Sequence, residues 1–182
     1  MKHMMLKILC AVLILVALNT AALAELMPVP RAAIPQSDTA LTLTGSSDWK
    51  GKVKALDWYH GGSKVLKKGG YGYLYDVKSG IYFKIKRMGG SAHADCEPAT
   101  KADTAKMKKL GYSYKRRAGI LYAGGKFVAV SFTTQPHGDQ TLTSNGYNGQ
   151  FCLHMVGSRT HGSDKVDEDH QAAIEKAYDW AH

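Results

Sequence analysis

The sequence predicts a single strand-dominated α+β domain. Three features carry that expectation: two glycine-punctuated hairpins, a short capped helix between them, and an amphipathic helix at the C-terminal end. Lys52–Trp58 supplies a first strand. Tyr71–Val77 follows Gly69-Gly70 and is rich in tyrosine. Lys78-Ser79-Gly80 turns the chain into Ile81–Met88, which alternates, with Ile81, Phe83 and Ile85 on one face and Lys84 and Lys86 on the other. Gly89-Gly90 ends this hairpin. Thr100 caps a short helix, with Asp103 three residues on, and Gly111 stops it. Ile120–Ala123, Gly124-Gly125 and Lys126–Thr133 form the second hairpin. Residues 134–165 read as loops around one apolar stretch, Phe151–Val156. Asp167 opens a helix that runs to about Trp180, with Ala173, Ile174, Ala177 and Tyr178 as its buried stripe.

The domain is preceded by two segments of other character. Residues 1–24 read as a cleavable signal: Lys2, His3 and Lys7, an uncharged apolar run from Ile8 to Leu18, then Ala22-Leu23-Ala24 before Glu25. The apolar run is short for a membrane span. Residues 25–47, with Pro28, Pro30 and Pro35 among alanine, serine and threonine, read as a flexible linker. The folded, catalytic-type domain is then 48–182. Export places it in a periplasm, outside the cell or at the wall. The net formal charge of +9 favours anionic partners. For an exported protein these are wall polymers or an envelope surface, not nucleic acid. A monomer is expected.

The residues of chemical interest crowd into two stretches. One is His93-Ala94-Asp95-Cys96-Glu97-Pro98. The other runs from His137 to His170 and holds Cys152, His154, His161, Asp164 and Asp167. Histidine concentrated in loops suggests a site. A cysteine nucleophile needs a base or a positive neighbour to ionise near neutral pH. His137, in Gln135-Pro136-His137-Gly138, is separated from Cys152 by a Gly/Asn-rich loop that could bring imidazole to thiol. Two readings of the cysteines stay open in an oxidising compartment: free thiols, or a Cys96–Cys152 disulfide. Asp167, Asp169 and His170 are explained as helix-start residues.

His137-Gly138, a glycine-rich loop and Gly149-Gln150-Phe151-Cys152-Leu153-His154-Met155 resemble the signature of the L,D-transpeptidase (YkuD-type) catalytic domain. From Asp76 onward the chain also resembles a group of exported bacterial cell-wall proteins. Its marks are Lys86-Arg87, Gly89-Gly90, His93-Ala94-Asp95, Asp103-Thr104, Pro136-His137-Gly138 and Ser158-Arg159-Thr160-His161-Gly162. The resemblance implies an L,D-transpeptidase-like β-sandwich and a cysteine acyl-transferase acting on peptidoglycan stem peptides, as transpeptidase or carboxypeptidase. Cys152 would be the nucleophile and His137 the base. Gly138, Gln150, His154, His161, His93 and Asp95 would bind substrate or support the pair. Here Gln150, Phe151 and His154 replace the family's histidine, glycine and arginine. No cofactor is implied.

Two other classes remain open. His93, Asp95 and His161 could hold zinc, as in a metal-dependent wall peptidase, although no His-Glu-x-x-His helix is present. A basic, tyrosine-rich β domain could also bind wall polymer without catalysis.

Overall fold

The computed structural model describes residues 47–182; the expected signal and linker lie outside them, apart from the last linker residue. Seven strands form: β1 (Val53–Lys54), β2 (Tyr71–Asp76), β3 (Tyr82–Gly89), β4 (Ala94–Pro98), β5 (Arg117–Ala123), β6 (Lys126–Phe132) and β7 (Phe151–His154). Two α-helices accompany them among the described residues, α1 (Lys101–Lys108) and α2 (Glu168–Ala181). The strand-dominated α+β class is therefore as expected. The pairing runs β6-β5-β2-β3-β4-β7 and returns through β6–β7, all antiparallel. This is one sheet closed into a six-stranded barrel, not the strand pairing of two facing sheets. β1 adds to β6 in parallel, through Val53↔Phe127 and Lys54↔Val128.

The period of two explains both cores. Leu74, Phe83, Ile85, Leu121, Val128, Val130, Phe132, Phe151 and Leu153 fill the barrel interior. Their neighbours Ile120, Phe127 and Ala129 face outward and meet Ile174, Ala177 and Ala181 of α2. β6 is thus buried on both faces, which is why Phe127–Val130 reads as an unbroken apolar run. Arg87 also points inward. Its guanidinium donates to the carbonyls of Ser63, Leu66, Gly89 and Gly90 and lies 4.6 Å from the Trp58 ring centre. A buried arginine is tolerated here because carbonyls take its protons.

Both helix caps form as the sequence implies. Thr100 accepts the Asp103 backbone N–H at 3.2 Å, and Asp167 accepts that of His170 at 2.9 Å. Four expectations need correction. The first strand is only two residues long, because Asp57 accepts the backbone N–H groups of Tyr59 and His60 and turns the chain. Ala94–Pro98, read as part of a polar loop, is a full strand of the barrel. Tyr178 is exposed, and Ala181 takes its place in the buried stripe of α2. His170 does more than sit at a helix start: it is buried and shares a 2.8 Å hydrogen bond with Ser131 Oγ. No helix among the described residues is long and apolar enough to cross a membrane.

Candidate active site

The site lies on the outer face of the barrel wall where β4, β7 and β6 meet. On β7, Phe151 and Leu153 point inward, so Cys152 and His154 point outward. On β4, Ala94 and Cys96 point inward, and Asp95 stands opposite Cys152 in the ladder. This settles the cysteine pair. Cys96 is fully buried in the interior, Cys152 is on the other side of the wall, and both are free thiols. The disulfide alternative fails because alternation sends neighbouring positions to opposite faces. It also places the Phe151 ring inside the barrel, away from the thiol.

His137 arrives from the loop that precedes β7. Its backbone N–H donates to the Gln150 carbonyl at 2.9 Å, and the Gln150 N–H returns the bond at 2.7 Å. Gly149 makes this approach possible. It has φ +127°, and any Cβ there would stand 2.8 Å from the His137 carbonyl oxygen. Gly138, at φ +65°, turns the chain away directly after the histidine. The loop beyond is tied to β4 by buried Glu97. Its carboxylate accepts from the backbone N–H groups of Thr141 and Leu142 at 2.7 and 3.0 Å and from Asn145 Nδ2 at 3.0 Å. The Gln150 side chain reaches Thr141 Oγ1 at 3.3 Å and does not touch the thiol.

The central contact is Cys152 Sγ to His137 Nε2, 3.2 Å. His137 Nδ1 lies 3.0 Å from the Gln135 carbonyl, which can only accept, so Nδ1 carries a proton and Nε2 faces the sulfur. On the other side of the thiol stands His93, buried, with Nδ1 fixed on the Arg159 carbonyl at 2.6 Å. His93 Nε2 is 3.3 Å from Asp95 Oδ1, close enough for an ion pair but too poorly aligned for a hydrogen bond. His161, exposed, places Nε2 3.0 Å from the same oxygen.

Burial acts to raise the Cys152 thiol, but the hydrogen bond from His137 and the neighbouring His93 outweigh it and hold the thiol below its ordinary value. The bond to Cys152, working against burial, lifts His137 to about 9. Burial acts to lower His93, yet Asp95 and Cys152 carry it up to about 10. Asp95 is held below the usual carboxylate range: burial is outweighed by His93 and His161. Two imidazoles whose protonated forms are favoured thus face a thiol and a carboxyl whose ionised forms are favoured. Cys96 is the opposite case, pushed well up by complete burial and chemically quiet.

A stack of rings backs the site. His154 lies over His93 at 4.3 Å between ring centres and over His170 at 3.7 Å. Burial first, then the nearby His170, press His154 far below the ordinary histidine value. It serves as a supporting plate behind His93. The cleft above Cys152 has a volume of about 150 Å³ and is also lined by Tyr114, Arg116, Thr133 and Thr160. Tyr114 and Arg116 continue into a wider groove of about 920 Å³ that holds Lys115 and Lys176 but not the thiol.

The structure therefore brings Cys152, His137, His93, Asp95 and His161 together, with His154 behind them and Gly138 and Gln150 in backbone roles. Sequence reasoning missed Glu97, the Arg159 carbonyl and the His170–Ser131 pair. Glu97 was visible only as a charge two positions from Asp95; the other two depend on contacts distant in sequence. Compared with family models, with curated proteins and with solved structures, the chain matches none.

Proposed function

We propose that the chain is an exported cysteine acyl-transferase of the bacterial wall, acting on peptidoglycan stem peptides as an L,D-transpeptidase or L,D-carboxypeptidase. The observation that carries this reading is the 3.2 Å contact between Cys152 Sγ and His137 Nε2, with His137 oriented by the Gln135 carbonyl. Nucleophile, base and orienting acceptor stand in the order that nucleophilic catalysis needs. The substrate class comes from the L,D-transpeptidase resemblance of the His137–Met155 stretch. The basic groove beside the cleft suits the carboxylates of a stem peptide.

In this mechanism the Cys152 thiolate attacks the carbonyl carbon of the peptide bond before a terminal D-amino acid. The tetrahedral intermediate collapses, the C–N bond breaks, and His137 gives its Nε2 proton to the departing amine. A thioester remains on Cys152. An acceptor amine or water then attacks it, passes a proton to His137, and the thiolate leaves. His93 would hold positive charge beside the sulfur throughout. The small cleft fits one residue at the reacting carbonyl, and the wider groove would take the rest of the peptide.

The test is intact mass after incubation with tetrapeptide muropeptides. The expected result is an acyl adduct on Cys152, absent from Cys152→Ala. Binding of muropeptide without adduct or turnover would make this a wall-binding module instead.

A further inference from the structure

The structure assigns a second capacity to the same wall of the barrel: we propose that His93, Asp95, Cys152 and His161 form a binding site for a thiophilic divalent metal of the zinc type, whose occupancy caps the Cys152 sulfur. The donor atoms of these four residues all lie within 4.8 Å of one another. One sulfur, two imidazoles and one carboxylate are the donor set of four-coordinate zinc, and they disfavour magnesium and calcium, which take oxygen.

His93 supplies the independent observation. It is 1% exposed, and its Nε2 is buried without a hydrogen-bond partner. A buried nitrogen whose polar neighbour, Asp95 Oδ1 at 3.3 Å, is too poorly aligned for a hydrogen bond calls for an explanation. Its other nitrogen is fixed on the Arg159 carbonyl at 2.6 Å, so Nε2 is aimed into the cluster. A backbone carbonyl that orients a histidine from behind is the usual outer-shell support of a metal ligand. The four ligands come from three segments: β4 with the residue before it, β7, and the loop after β7. Asp95 and Cys152 are set face to face by the ladder, and exposed His161 stands on the solvent side of the set. His137 is outside the set. A coordinated thiolate shares one of its lone pairs with the metal and is a weaker nucleophile, so His137 would face a sulfur of reduced reactivity.

This goes beyond acyl transfer and does not depend on it, because metal binding is read without substrate. The experiment is titration of the chelator-stripped full-length protein with Co²⁺, followed by Zn²⁺. The expected result is one Co²⁺ per chain, with intense tetrahedral ligand-field bands, a near-ultraviolet thiolate-to-cobalt band, and displacement of both by Zn²⁺. Cys152→Ser should abolish the near-ultraviolet band. His161→Ala, at an exposed position that the fold does not need, should weaken binding by about tenfold or more. Absence of the thiolate band, its persistence in Cys152→Ser, or unchanged affinity in His161→Ala would each overturn the proposal. Absence of an acyl-enzyme in the metal-free protein, with normal cobalt bands on titration, would sink the transferase reading alone.

Discussion

Asp95 and Cys152 are direct cross-strand partners, and their side chains leave the barrel on the same face. The pairing keeps a carboxylate beside the thiol while His137 and His93 supply the opposing charge. Thiolate should therefore persist below the pH at which an ordinary cysteine ionises. In metal-free buffer, the rate of Cys152 alkylation against pH should show its inflection below that of a free thiol. His137→Ala should move that inflection upward and slow alkylation near pH 6 by roughly tenfold or more. An unmoved inflection would show that His137 does not control the sulfur.

Histidine also sets the pH dependence of stability. Burial lowers His170 from 6.5 to about 4. The unfolded chain then binds more protons than the folded one between those values, so stability should fall as the pH drops through that window. His93 and His137 act in the other direction: raised to about 10 and about 9, they stabilise fully below 6.5 and lose that contribution as the pH rises through those values. These histidines taken by themselves should lower the thermal midpoint on either side of about 6.5, with ionisation of Cys152 offsetting part of the alkaline loss. The double variant Ser131→Ala with His170→Leu removes both partners of the buried hydrogen bond and should flatten only the acid limb.

Asp167 joins a helix cap to an ion pair. Its carboxylate caps α2 and accepts from Arg116 Nη2 at 2.6 Å. Despite partial burial, these bonds hold it near 2, below its ordinary 3.8. Its contribution should be complete above the ordinary value and lost as the pH falls toward the depressed one. Asp167→Ala should cost about 1–2 kcal/mol in denaturant unfolding at neutral pH, chiefly through the lost cap. Asp167→Asn should retain most of the cap and lose the acid dependence.

Glu97 is a positioning residue for the site. It holds the 138–149 loop, which leads directly into Gln150, the backbone partner of His137. Glu97→Gln replaces one acceptor oxygen with an N–H donor that faces other donors, at a cost of about 1–3 kcal/mol. Hydrogen exchange at Thr141 and Leu142 should quicken. The alkylation inflection of Cys152 should also move toward that of a free thiol; a change in stability alone would mean that Glu97 serves the fold and not the site.

The parts legible in the sequence are those that depend on near neighbours. Alternation from Ile81 to Met88 and the Thr100 cap need only local chemistry, and both appear where expected. Strand β4 was hidden because Asp95, Glu97 and Pro98 carry the marks of a loop. They are allowed in a strand because histidines and a loop from much later in the chain meet them on the outer face. Closure of the barrel was hidden for a similar reason. It rests on two residue pairs between β6 and β7, Ser131↔His154 and Phe132↔Leu153, which no local pattern announces. The Cys152–His137 pair was legible as a motif. The second imidazole was visible as a residue, but its place beside the thiol required the fold.

That narrow closure also has a consequence for the order of folding. β7 joins β4 through three pairs and β6 through two, and its partners lie far back along the chain. The hairpins β2–β3 and β5–β6 are local and should form first. The nucleophile thus rides on the strand that completes the ring. Until β7 docks, Cys152 has no histidine set beside it and behaves as an ordinary thiol. Activation of the sulfur should arrive as the last event of folding, and an unfinished chain carries no armed cysteine.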